Sequence, residues 1–198
     1  MAFLGRLDWT KGVDLALAAA RKLPDAELRL AGPDPIGLRA DLTDQGLAGR
    51  NARFVGPLAG AEKWAFLAGA DVLIAPSLRE SFGLAVAEAL AVGTPVICTP
   101  GVGAGALVAS LDPACIAERN TSALARELAA LLASSVRRQS FADHGPALIR
   151  RDFSWPGICS QMECICNQRM TCPFKQDNLM ILVSCRIIME HTNGTYAT

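Results

Sequence analysis

From Ala2 to Ala133 short apolar runs alternate with longer stretches of helix-forming residues, and this rhythm limits the possible folds more than any single motif does. Apolar runs at Ala2 to Gly5, Glu27 to Ala31, Ala52 to Val55, Val72 to Ala75, Pro95 to Cys98 and Ala114 to Ile116 read as strands. The helix candidates between and after them are Gly12 to Leu23, Ile36 to Leu47, Ala61 to Gly69, Phe82 to Val92, Leu107 to Leu111 and Ser122 to Ala133. Strands that each lead into a helix imply a parallel sheet with helices on both faces and right-handed crossovers. The expected fold is therefore a doubly wound, Rossmann-like α/β domain over residues 1–153, with Ser135 to Arg151 as a further helix. If the strands follow the order 3-2-1-4-5-6, a crevice opens beyond the carboxyl ends of strands one and four. Arg6 and Glu80 stand at those two ends.

The chain has 198 residues, enough for one substantial domain and too few for two of ordinary size. Its 19 basic and 19 acidic residues cancel, so no general attraction to nucleic acid or to an anionic membrane is expected, and any polyanion must be met by local cations. Ala89 to Leu111 carries no charge, but Gly93, Pro95, Pro100, Gly101, Gly103 and Gly105 interrupt it, which argues against a transmembrane segment. The first residues lack the basic and apolar regions of a secretory leader, and a cytoplasmic location is the expectation. Of the seven cysteines, Cys98 and Cys115 sit in apolar runs and read as core. The other five, Cys159, Cys164, Cys166, Cys172 and Cys185, match no zinc spacing, so no metal site is expected.

The densest chemistry lies at Arg79 to Glu88, where a buried strand ending at Pro76 turns into a helix. A helix starting near Ser81 offers the amides of Phe82, Gly83 and Leu84 to an anion, and its dipole adds about half a positive charge. Phosphate oxygens fit that spot. Glu80 beside a phosphate then needs donors of its own, which the hydroxyls of a sugar ring supply, and Glu88, more than a turn further on, is placed to accept from ribose hydroxyls. The arrangement suits a nucleotide sugar, provided that Arg6 and Glu88 face one shared cavity.

Four segments together, Gly5-Arg6-Leu7-Asp8-Trp9-Thr10-Lys11-Gly12, Phe54-Val55-Gly56, Glu80-Ser-Phe-Gly-x4-Glu88 and Gly93-Thr-Pro-Val-Ile97, resemble the donor-binding half of glycosyltransferase family 4, over about Ala2 to Met162. The resemblance implies the carboxy-terminal half of a two-domain GT-B enzyme that moves a hexosyl group from a nucleoside-diphosphate sugar to an acceptor hydroxyl with retention, without metal or other cofactor. It gives Arg6 and Lys11 the donor diphosphate, Glu80 the transferred sugar and nearby phosphates, Glu88 the ribose, and Ser81, Phe82, Gly83 and Leu84 a cradle of amides. Catalytic roles fall to Glu80 at the transferred sugar and to Arg6 and Lys11, since fixed cations aimed at a leaving diphosphate stabilise the transition state more than the ground state. The acceptor-binding amino-terminal domain is expected as a partner in cis or in trans. The chain departs from the family after the Pro-Val-Ile strand, where Pro100-Gly-Val-Gly-Ala-Gly-Ala-Leu107 replaces a Gly-Gly pair followed by proline and glutamate. The other readings are a nucleotide-sugar-binding module that needs a separate acceptor chain, an inactive truncated product, and a sugar-nucleotide epimerase of the same shape.

Several features read as structural. Gly101 to Gly105 lacks both the GxGxxG spacing and the acidic residue that would follow it, and reads as a flexible loop. His144 and His191 have no matching nucleophile motif. Asn120-Thr-Ser122 and Asn193-Gly-Thr195 match the glycosylation acceptor pattern by coincidence, since no export signal accompanies them. Residues 154–166 read as a terminal helix with Ser154 near its cap, crossing to the other domain, and 167–198 as a dissimilar tail without regular structure.

Overall fold

The computed structural model describes residues 1–153 and Ile158. The chain divides into two compact units, Met1–Ile149 and Arg150–Thr198. The expected terminal helix (Ile158 apart), the tail, the five late cysteines and His191 lie outside the described residues.

Five parallel strands form one sheet: β1 (Ala2–Leu4), β2 (Leu28–Ala31), β3 (Ala52–Gly56), β4 (Leu73–Ala75) and β5 (Val96–Cys98). Their order, β3-β2-β1-β4-β5, is the expected one without its sixth member. Neighbours pair in register at Phe3 with Leu30, Ala2 with Leu73, and Ile74 with Ile97. In β4 and β5 every residue but Ala75 is buried, as expected of strands covered on both faces. Taking one such leucine or isoleucine side chain out of water contributes about 1.5–3 kcal/mol.

The helices are α1 (Val13–Ala20), α2 (Leu38–Asp44), α3 (Gly60–Ala68), α4 (Leu84–Ala91), α5 (Gly105–Leu111), α6 (Thr121–Ala133) and α7 (Ser135–Phe153). Helix α1 buries Val13, Ala16, Leu17 and Ala20, the i, i+3, i+4, i+7 stripe of an amphipathic helix. Helix α6 is capped by Asn120, whose side chain accepts from the Ala123 amide at 2.8 Å. That residue of the glycosylation pattern therefore has a structural use. Helix α7 runs through Pro146, and Gly145 lets it approach the Leu90 carbonyl, where an added Cβ would stand 2.7 Å from the oxygen.

The sixth strand does not form. Pro113–Cys115 is a 3-10 turn, and only Ile116 makes a single parallel bridge, to Cys98. The cause lies two residues upstream of the apolar run. The Asp112 side chain accepts the Ala114 amide at 3.1 Å and Pro113 presets a helical φ at the first position, a combination that starts a helical turn. Arg137 reinforces it by pairing with Asp112 at 2.6 Å.

Candidate functional site: a charged cleft at the β1/β4 switch point

Strand order reverses direction between β1 and β4, which is where open α/β sheets hold their ligands. A cleft of about 340 Å³ opens there, lined by Gly5 and Arg6 after β1, by Lys11, by Ser77 and Glu80 after β4, by Gly83 to Val86 at the start of α4, and by Val102. A larger depression, about 720 Å³, lies at the opposite ends of the strands between Met1, Glu27, Arg29, Phe66, Asp71 and Arg138. It is lined by the last turns of α3 and α6 and lies away from the switch point, so the smaller cleft is the candidate site.

The β1 side is built by a capped turn. Asp8 accepts from the Thr10 amide and the Thr10 hydroxyl, each at 2.7 Å, and thereby starts the 3-10 turn Trp9–Lys11. These two bonds, the hydroxyl's above all, hold the Asp8 carboxyl below its ordinary range. The turn closes on Gly12 with φ 72°, where a Cβ would lie 2.3 Å from the Pro76 carbonyl oxygen. Only glycine satisfies both conditions. The Leu78 amide donates to the Thr10 carbonyl at 2.7 Å, and Arg119 reaches the carbonyls of Pro76 and Trp9 at 3.3 and 3.5 Å. The turn carrying Lys11 is thus tied to the end of β4 by backbone and side chain.

The β4 side is held by the glycine segment, which is not a flexible loop. Glu80 donates its amide to the Gly101 carbonyl and accepts the Gly103 amide, both at 2.9 Å, in a parallel bridge centred on Val102. Ala104 donates to the Phe82 carbonyl. A Cβ at Gly101 would lie 2.2 Å from the Leu78 oxygen, and one at Gly103 the same distance from the Ser81 oxygen. Glycines at alternate positions mark such a close backbone approach, a signal legible in the sequence but weighed there only against a dinucleotide motif.

Helix α4 begins at Leu84, later than the expected start near Ser81, with Gly83 as its cap at φ 94°. The amides of Gly83, Leu84 and Ala85 have no acceptor among the described residues, so they and the dipole form an anion site at the cleft. Those of Gly83 and Leu84 were anticipated.

Of the side chains expected here, Lys11 and Glu80 come together as an ion pair through Glu80 Oε2, each 24% exposed. The donor that Glu80 requires is therefore supplied by the protein itself. Arg6 lines the cleft but is 55% exposed and leans towards Asp8, with Nε 3.6 Å from the carboxylate, so this pair contributes little in solvent. The cavity that Arg6 and Glu88 were expected to share is not found, since Arg6 lines the cleft and Glu88 does not. Glu88 stands one turn beyond Leu84 on α4 and pairs with Lys63 of α3 at 2.5 Å. Lys63, Asp8 and Arg119 were not singled out in the sequence. Asp8-x-Thr10 is a recognisable capping pattern, whereas a single lysine or arginine on an amphipathic segment carries no local signal.

Comparison with known proteins agrees with this geometry. The fold superposes on sucrose-phosphate synthase from Thermosynechococcus elongatus with a TM-score of 0.69 and 27% identity, covering 86% of this chain and 45% of that one. Anabaena HepE, solved in complex with UDP and glucose, matches in fold with a TM-score of 0.72 at 21% identity, over 84% of this chain and 47% of that one. In sequence the chain is 33% identical over 175 residues to a D-inositol 3-phosphate glycosyltransferase of Corynebacterium urealyticum, covering 82% of this chain and 41% of the relative. It is 32% identical over 170 residues to a glycogen synthase of Mycobacterium tuberculosis, covering 81% and 40%. The chain thus spans less than half the length of these relatives. Residues 1–147 match the family model described as glycosyl transferases group 1, and with the switch-point cleft in place the chain belongs to that family, as a Rossmann-like half of the GT-B architecture.

Proposed function

We propose that this chain is the nucleotide-sugar-binding half of a retaining hexosyltransferase of glycosyltransferase family 4. The observation that carries the reading is the Lys11–Glu80 pair beside the open amides of Gly83, Leu84 and Ala85, at the sheet's switch point. In this reading the diphosphate docks on those amides and on Ser81 and Phe82, with Arg6 and Lys11 as its cations. Glu80 then turns Oε1, which has no partner among the described residues, to a hydroxyl of the transferred sugar, and Glu88, one helical turn past the cleft-lining Leu84, takes a ribose that reaches beyond the cleft.

Arg6 and Lys11 are balanced by Asp8 and Glu80, so the cleft carries no net charge from these four groups. A donor diphosphate must therefore share Lys11 with Glu80, and as the glycosidic bond breaks the growing charge on the leaving group draws the ammonium towards it. Such a shift towards the transition state favours catalysis over tight ground-state binding. The two cations and the helix amides meet the phosphate charge without calling on a metal or other cofactor. Support for a nucleotide-sugar donor comes from family membership and from the UDP and glucose in HepE. In this reading a further domain, in cis or in trans, binds the acceptor. A cytoplasmic setting suits Cys98 and Cys115, both free thiols.

Titration calorimetry of the chain with UDP and GDP tests the assignment. Lys11→Ala and Glu88→Ala are expected to weaken binding by about 10- to 100-fold each, the loss of one charge-assisted hydrogen bond. Unchanged affinity in both variants rejects the site.

A further inference from the structure

The geometry points to Lys63 as a positioning residue for the nucleoside end of the donor, acting through Glu88, an inference that rests on the ribose role proposed for that carboxylate. Glu88 follows Leu84 by four positions on α4, so the two side chains lie one above the other on the same face, about 6 Å apart along the axis. Leu84 lines the cleft. A diphosphate seated on the amides of Gly83, Leu84 and Ala85 therefore has Glu88 about one helical turn away, the reach of the ribose that follows it.

Lys63 touches Glu88 at Oε1 only. Glu88 is 13% exposed and Lys63 25%. Oε2 has no partner among the described residues, yet it is not sealed from solvent, because Asp14 Oδ1 alone among them is a fully buried side-chain oxygen without a hydrogen bond. One carboxylate oxygen is thus committed and the other left open. The ammonium is itself restrained, 5.0 Å from the centroid of the Trp64 ring.

Two consequences follow from this arrangement. By holding Oε1, Lys63 fixes the plane of the carboxylate and so the direction in which Oε2 accepts, which a pair of ribose hydroxyls reads as a matched acceptor. It also offsets a negative charge that would otherwise stand about a turn from the diphosphate and repel it. Neither effect requires Lys63 to touch the ligand.

The test compares UDP, GDP and ADP with their 2′,3′-dideoxy counterparts by titration calorimetry on the whole chain. The wild type is expected to prefer the ribose form of the diphosphate it binds by about tenfold or more. In Lys63→Met that preference falls to about two-fold or less, in Lys63→Arg it is kept, and in the Glu88→Gln background Lys63→Met changes it no further. A merely structural lysine would lower the melting temperature and leave the ribose preference intact, and that result overturns the inference while the cleft assignment stands. Should Lys63→Met fail to fold, Lys63→Gln read against Glu88→Gln gives the same comparison. Absence of any diphosphate binding by the wild type overturns the site reading, and this inference with it.

Discussion

Lys11 and Glu80, 69 residues apart in the chain, meet as an ion pair across the point where the sheet reverses its winding. Neither residue is placed by its own element. Lys11 ends a 3-10 turn that Asp8 starts and Gly12 closes, and Glu80 is clamped by the carbonyl of Gly101 and the amide of Gly103. Because the pair is partly exposed and solvent-screened, its value lies less in stability than in holding a cation ready beside a helix start.

If Glu80 competes with phosphate for the Lys11 ammonium, Glu80→Gln frees that ammonium. The variant is expected to bind UDP or GDP without sugar at least as tightly as the wild type, and by up to about tenfold more tightly, while losing any gain that the sugar of a UDP-hexose provides. Calorimetry with the two ligand forms checks this. Weaker binding of the sugar-free diphosphate would show that Glu80 orients Lys11 rather than competing for it.

Gly12 combines a left-handed φ of 72° with a 2.3 Å approach of its absent Cβ to the Pro76 oxygen. Gly12→Ala therefore imposes both backbone strain and a clash, and on the order of 2–4 kcal/mol of stability should be lost. Urea unfolding followed by circular dichroism measures it. A loss under about 1 kcal/mol would mean that the turn moves away from β4 at little cost.

Asn120 is the N-cap of α6, the helix packed against α1. Asn120→Ala removes one satisfied amide and is expected to cost about 1 kcal/mol, and Asn120→Ser to cost less. The same unfolding assay ranks the three chains.

Burial pushes both the Cys98 and the Cys115 thiol up to about 12 from an ordinary 9.0, with the Asp112 carboxylate adding to the effect at Cys115. The folded chain holds these protons more tightly than the unfolded one. Their contribution is accordingly complete below pH 9.0 and is lost as pH rises towards 12. Stability of the wild type should fall more steeply between those values than that of Cys98→Ala/Cys115→Ala, in denaturant titrations at fixed pH. Parallel slopes would rule the thiols out as the source.

The sequence by itself determined the alternation of strand and helix layers, since their periods are local properties of the chain, and with few parallel windings open the commonest order placed the crevice where the structure has it. The helix cradle was legible for the same reason, to within a few residues at its start. The strand read at Ala114 to Ile116 was wrong, because Asp112 as a capping side chain before Pro113 outweighs a three-residue apolar run. Tertiary structure alone decided which charges meet. That Lys11 faces Glu80, that Lys63 faces Glu88, and that glycines 101 and 103 lie against the backbone of Leu78 and Ser81 depend on elements far apart in sequence. An ion pair or a close backbone approach is set by a distance of a few ångströms between such elements, and no periodicity within either one encodes it.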